Sequence, residues 1–234
     1  MNFKSNIKSA KYLGFSFKNS IGIFYLIVVG LALLASFSTA RVVSAGGQAN
    51  SGGFESATVI FLFIAGLTFK EDFKFLIANN VTRKKFFVSN NLAYIGVAVF
   101  MTSVDLILGF SYNLIGPYHS MFGQIYTTNA LGINFLWAFS LNLLALHAGW
   151  FITLLYYRAN HIMKLIVCVA PVALFFFMMY LLRTFPVLSD FVQFILGIEM
   201  PTFNPYTPVG TFLIGAFILS CLSFVVIRKM PLND

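Results

Sequence analysis

Charge is scarce in this chain. Asp, Glu, Lys and Arg make up 9% of its 234 residues, against about 25% in an ordinary soluble domain. A water-facing surface cannot be covered with so little charge, so a soluble globule is excluded. Cysteine is limited to Cys168 and Cys221. Both lie inside apolar runs, so they read as small buried apolar side chains, with no disulfide framework and no metal-ligand spacing. The three histidines, His119, His147 and His161, are dispersed and form no HxxxH or HExxH pattern, so no metal centre is expected. The dipeptide Gly-Lys never occurs, so there is no phosphate-binding loop of the GxxxxGK[ST] kind. Paired carboxylates or a Ser–His pair at matched depth are also missing, which argues against an intramembrane enzyme.

What is abundant is apolar surface. Hydrophobic residues make up 59%, Phe alone supplies 29, and the mean hydropathy is +0.86. The net charge of +8 fits basic loops beside anionic headgroups rather than nucleic acid, because the basic residues recur between apolar blocks. Crossing about 30 Å of hydrocarbon takes about 20 apolar residues in a helix. The runs are continuous rather than alternating, so they predict helices. The expected fold is an all-α integral membrane protein, a single transmembrane domain over residues 1–234. Six spans are expected at about 21–40, 54–69, 87–110, 131–157, 165–182 and 209–227. Phe37 to Ala40 ends in small residues like a cleavage site, but the charged stretch ahead of the first span is long and regular, so a retained span is expected. Sorted between the spans, 13 of the 15 basic residues fall on one side, and only Arg41 and Arg183 on the other. By the positive-inside rule the richer side is cytoplasmic, holds both termini and requires an even number of spans.

The connections carry further signals. Over residues 3–18, Phe3, Ile7, Ala10, Gly14 and Phe17 recur at steps of three and four beside Lys4, Lys8, Lys11 and Lys18. This predicts an interfacial helix, apolar side down, lysines towards anionic lipid. Tyr112, Tyr118 and Tyr126 of the second outer connection suit the headgroup level. The outer segment 183–208 has an apolar middle from Val187 to Ile198, too short to cross, which reads equally as a short surface or re-entrant helix and as a packed loop; Pro201, Pro205 and Pro208 then break the chain. The cytoplasmic connection 70–86 places Phe73, Leu76 and Ile77 on one helical face. Asn79-Asn80 ends that helix, and Thr82 is positioned to cap the next, with Lys85 where a capping box has Glu. A basic knuckle, Arg83-Lys84-Lys85, follows.

Thr82-Arg83-Lys84-Lys85-Phe86-Phe87 resembles the Thr/Ser-Arg-Lys-x-Phe-Phe pattern in the same connection of small bacterial ABC transporter permeases of the type-2 exporter class. Those proteins also have six spans, cytoplasmic termini and an amphipathic first helix. The motif covers about six residues and the architecture covers the chain; Asn79, Asn80 and Val81 stand where many such permeases have Gly. The resemblance implies a multi-pass protein of the bacterial plasma membrane that exports an amphipathic substrate such as a peptide, antimicrobial peptide, drug or lipid. It implies a separate ATPase subunit that carries the ATP and Mg, with no cofactor on this chain. That subunit would couple through Phe73, Leu76, Ile77, Thr82, Arg83, Lys84 and Lys85. It implies a second permease half, in a homodimer or heterodimer, and short outer-gate helices within 183–208.

Within the spans, Asp105 is the only deep formal charge and should face protein or water. Asn91, Tyr94, Ala98, Thr102, Asp105, Gly109 and Tyr112 form one small or polar stripe, either lining a cavity or dimer contact, or packing helix on helix. Asp105 lies roughly 8 Å and His147 roughly 24 Å from the outer end, too far apart in height for a proton relay. Tyr94 is level with His147, and Asn134 and Trp137 lie nearer Asp105. Pro171 is expected to bend the fifth span. Two other readings stay open: an ATP-independent transporter or channel, and a non-transporting immunity or scaffold protein.

Overall fold

The computed structural model describes residues 3–44, 51–68, 70–114, 118–126, 130–198 and 203–228. Phe69, Glu199, Pro201 and Lys229, and the side chains of Phe3, Lys4 and Lys70, lie outside the described residues. Ten helices are present among them. α1 is Phe3–Ser16, α2 Lys18–Ser44, α3 Glu55–Leu67, α4 Lys70–Ala78, α5 Arg83–Asn113, α6 Met121–Tyr126, α7 Leu131–Arg158, α8 His161–Thr184, α9 Pro186–Leu196 and α10 Tyr206–Arg228. Two short parallel strands, β1 Ser51–Gly52 and β2 Tyr118–His119, pair Ser51 with Tyr118 and Gly52 with His119.

Five helical stretches are long and apolar enough to cross a membrane: 6–39, which runs through α1 and α2, then α5, α7, α8 and α10. The helices overrun the apolar runs because backbone hydrogen bonding continues past the last apolar residue. The span expected at 54–69 is shorter. α3 has 13 residues, about 20 Å at 1.5 Å per residue, and Thr68 stops it by folding its N–H back to Ala65 O.

α7 forms the centre, packing most extensively on α10 and α3, while α1 lies along α5. The α3–α7 crossing is a backbone approach. A Cβ added at Gly66 or at Gly149 would sit 3.1 Å from the Cα of the other. The Thr153 hydroxyl donates to Leu67 O at 3.1 Å beside it. Small residues let helices approach this way when lipid offers no hydrophobic drive. By contrast α8 and α9 have no buried residue, and α8 displays Phe175, Phe176 and Phe177 outward, as suits a helix that meets lipid or another chain.

α1 leaves Ile7 of its expected apolar stripe exposed, as a side turned to lipid would be, while Asn6, Ser9 and Leu13 are buried, with Phe17 just beyond the helix, and the Ser89 hydroxyl donates to Asn6 O at 3.1 Å. Only a turn at Phe17 separates α1 from α2, bridged by Ile21 N–H to Phe17 O. One expectation changes: Cys168 and Cys221 are exposed on the helix bundle; an apolar run in a membrane protein faces lipid as readily as protein. Tyr112, Tyr118 and Tyr126 are buried within the chain. Tyr112 packs on Phe54 and Tyr118, and the Tyr126 hydroxyl donates to Leu196 O at 2.6 Å.

The apolar middle of 183–208 is helical. Pro186 starts α9, and Gly197 at φ 63° ends it. Ile198 N–H bonds Gln193 O and Gly197 N–H bonds Phe194 O, the paired bonds of a Schellman stop, which needs a left-handed residue that glycine adopts without strain.

Candidate functional site

The connection between α3 and α5 is a built structure. α4 ends as expected at the Asn pair: Asn80 takes φ 59°, Val81 N–H bonds Leu76 O and Asn80 N–H bonds Ile77 O. This is the same Schellman geometry, with asparagine in the left-handed position. Thr82 then caps α5, its hydroxyl oxygen accepting from Lys85 N–H at 3.3 Å. The chain therefore reverses over Asn79 to Thr82 with the end of α4 and the start of α5 both capped.

Phe73 and Leu76 point inward. They are 3% and 5% exposed, Ile77 packs partly buried beside them, and the Phe73 ring meets Phe86 edge-on at 5.1 Å. Arg83 does not project freely either: its Nη1 donates to Arg228 O at 2.7 Å, holding the start of α5 to the last carbonyls of α10, where a cation also complements the helix dipole. Lys84 is exposed and Lys85 partly so. The outward face of α4 carries Glu71 and Phe75. Phe75, 49% exposed, stacks on Tyr12 of α1, 41% exposed, with ring centroids 4.9 Å apart. The Ser16 hydroxyl donates to Asp72 Oδ1 at 3.3 Å. Burial pushes the Asp72 carboxyl above its ordinary range; the Ser16 bond works against this and the neighbouring Glu71 adds to it. The Tyr12–Phe75 platform was missed because Phe75 lies off the 73–76–77 face, and its partner is about 60 residues away.

The second set of polar groups runs up α5 as a ladder of cross-helix bonds. Near the basic end, Asn91 Oδ1 accepts from the Ser220 hydroxyl of α10 at 2.7 Å and lies 3.0 Å from His147 Nε2 of α7. Asn91 Nδ2 donates to Phe87 O at 2.9 Å, and His147 Nδ1 lies 2.8 Å from Leu143 O. Tyr94 meets the His147 ring edge-on at 5.6 Å. About three turns further along α5, Asn142 Nδ2 donates to Thr102 Oγ1 at 2.9 Å. At the far end, Asp105 Oδ1 accepts from the Thr58 hydroxyl at 3.1 Å, and the Tyr25 hydroxyl lies 2.9 Å from the same oxygen and 3.0 Å from Met101 O. Each rung joins two or three helices, which is how polar groups act inside a bilayer.

Tyr94, Thr102, Asp105 and Tyr112 are thus buried against the chain's own helices, and Asn91 nearly so. Asp105 and His147 share no bond. Their partners on α5, residues 105 and 91, are about 20 Å apart along the axis. Asp105 also lines a cavity of about 260 Å³ at that far end with Glu55, Asn113, His119 and Asn134, and no Lys or Arg is in the lining. Glu55 Oε2 accepts from Met121 N–H at 3.4 Å. Burial, and then the nearby Glu55 carboxylate, push the Tyr118 phenol upward at this cavity. Among the described residues, no three His, Cys, Asp or Glu side chains come together to hold a metal.

Substitutions separate packing from charge at Asp105. Asp105→Asn keeps an oxygen to accept from Thr58 and Tyr25, so melting in detergent should stay near wild type. Asp105→Ala leaves a buried hydroxyl without its acceptor and should cost about 1–3 kcal/mol. If the two variants melt alike, the hydroxyl bonds do not hold these helices.

Comparisons with family models, with curated proteins and with solved structures each return no match.

Proposed function

We propose that this chain is the membrane-spanning permease subunit of an ATP-driven exporter, worked by a separate ATPase that docks on α4. In this reading the chain crosses the bacterial plasma membrane six times, α3 being the shortest crossing, accommodated by local thinning of the bilayer. Both termini lie on the basic, cytoplasmic side. One observation carries the proposal: α4 is tied on two sides yet keeps a face open. Asp72 is bonded to Ser16 of α1 and Phe73 packs on Phe86 of α5. A push on Phe75 and Glu71 would therefore move α1 and α5 together, with the end of α10 held to α5 through Arg83, and α5 carries the polar ladder through the bundle.

The partner-facing residues are then Tyr12, Glu71, Phe75 and Lys84. Phe73, Leu76, Ile77, Thr82 and Arg83 act by transmitting the movement. A second permease half, the same chain or a similar one, would complete the path, and the largely exposed outer faces of α8 and α9 are the surfaces open to it. The cargo would be amphipathic, since the helices offer Phe, Met and Tyr rather than charge. The separation of Asp105 from His147 favours this reading over a proton-driven carrier, which needs titratable groups in relay.

Purification from native membranes in mild detergent should retrieve an ATP-hydrolysing subunit, and adding the purified chain in lipid should raise that subunit's turnover. Recovery of a functional transporter with no nucleotide-binding partner would contradict the proposal.

A further inference from the structure

A groove of about 1070 Å³ opens between α1–α2 and α5. One wall runs from Ile7 to Tyr25 and the other from Leu92 to Val104. The first wall is about 27 Å long at 1.5 Å per residue. A phospholipid in one leaflet spans about 20 Å, half of a 40–45 Å bilayer with headgroups.

Three glycines line this groove, Gly14, Gly22 and Gly96, and a Cβ added to any of them meets no atom within 4 Å. They differ in this from Gly66 and Gly149, whose missing side chains let two backbones touch. Glycine within a helix is unfavourable relative to alanine, and no contact inside the chain uses the space these three leave. The charges in the lining are Lys11 and Lys18 alone, both exposed, with no acidic residue among them. Beyond Lys18, the walls are uncharged out to Tyr25 and Val104. The wall of α1–α2 is therefore basic over roughly its first 16 Å, from Ile7 to Lys18, and uncharged over the remaining stretch of about 10 Å, and the whole is long enough for a lipid.

We propose that this groove binds one anionic glycerophospholipid of the cytoplasmic leaflet, with its phosphate between Lys11 and Lys18 across Gly14 and its acyl chains over Gly22 and Gly96. A second copy of this chain fits less well. The exposed long helices it has to offer in the bilayer, α8 and α10, carry no acidic residue, so they would fill the apolar part and leave both lysines without a counter-charge. The proposal uses the membrane orientation of the chain but not its partnership with an ATPase, and its test reads bound lipid, so the two stand or fall separately.

The test is native mass spectrometry of the purified chain, titrated with phosphatidylglycerol or with phosphatidylcholine of the same acyl chains. Each lysine near a membrane surface favours an anionic headgroup roughly fivefold, so the preference for phosphatidylglycerol should be about 25-fold. Lys11→Gln with Lys18→Gln should remove that preference. Gly96→Leu, which meets open space, should leave the melting temperature unchanged and lower the occupancy of both lipids at least tenfold. Equal binding of the two lipids by the wild type would overturn the proposal. So would full phosphatidylglycerol occupancy in the melting-neutral Gly96→Leu variant. Conversion of a dimer to a monomer by Gly96→Leu with lipid occupancy unchanged would also overturn it, assigning the groove to a second copy.

Discussion

Gly149→Val should abolish the folded protein. The added Cβ would run into the backbone of α3 at Phe63 and lie 3.1 Å from Gly66 Cα, and the branched carbons would deepen the collision. Two backbones cannot yield as side chains do, so the cost should exceed the 1–3 kcal/mol of ordinary overpacking. α3 is also the element least able to find another seat, being short and held chiefly by α7. Fluorescence-detected gel filtration should show the monodisperse peak lost for Gly149→Val and kept for Gly14→Ala, whose new methyl group meets nothing within 4 Å. A normal peak for Gly149→Val would mean that α3 and α7 do not cross where these glycines put them.

Phe75→Asp should separate coupling from folding. Phe75 is a half-exposed aromatic stacked on the similarly exposed Tyr12, so its loss should leave melting near wild type. Truncating a central aromatic anchor of an interface costs at least a tenfold loss of association, so stimulation of the partner ATPase should fall about tenfold or more. Phe73→Ala acts differently. It empties a buried site against Phe86 and should destabilise the protein by about 3–5 kcal/mol, losing coupling only as the fold is lost. The pair distinguishes a surface that is touched from a core that transmits.

The inward turn of Phe73 and Leu76 also shows where sequence reasoning ran out. An apolar helical face in a polar connection has to be covered, but spacing alone does not say whether its own bundle or another protein covers it. Local chemistry was legible: the Asn80 stop, the Thr82 cap onto Lys85 and the depth gap between Asp105 and His147 follow from hydrogen-bond rules and the rise of a helix. The level of Tyr94 with His147 followed from the same arithmetic. Long-range pairings were not legible. Ser89 with Asn6, Tyr12 with Phe75 and Arg83 with Arg228 join residues that no periodicity links. α1 shows the same limit on a larger scale: its apolar stripe was plain, yet the face that packs is Asn6, Ser9 and Leu13, because spacing does not say which side of a helix meets protein and which meets lipid. In a bilayer apolar character no longer marks the interior, which is why Cys168 and Cys221 face outward.

The central claim is that an ATPase subunit docks on the open face of α4, and a photo-crosslinking side chain placed at position 75 tests it most directly. In native membranes, light should join this chain to a nucleotide-binding subunit from position 75 and not from the buried position 73. Functional membranes in which positions 71, 75 and 84 all fail to capture such a subunit would contradict the account.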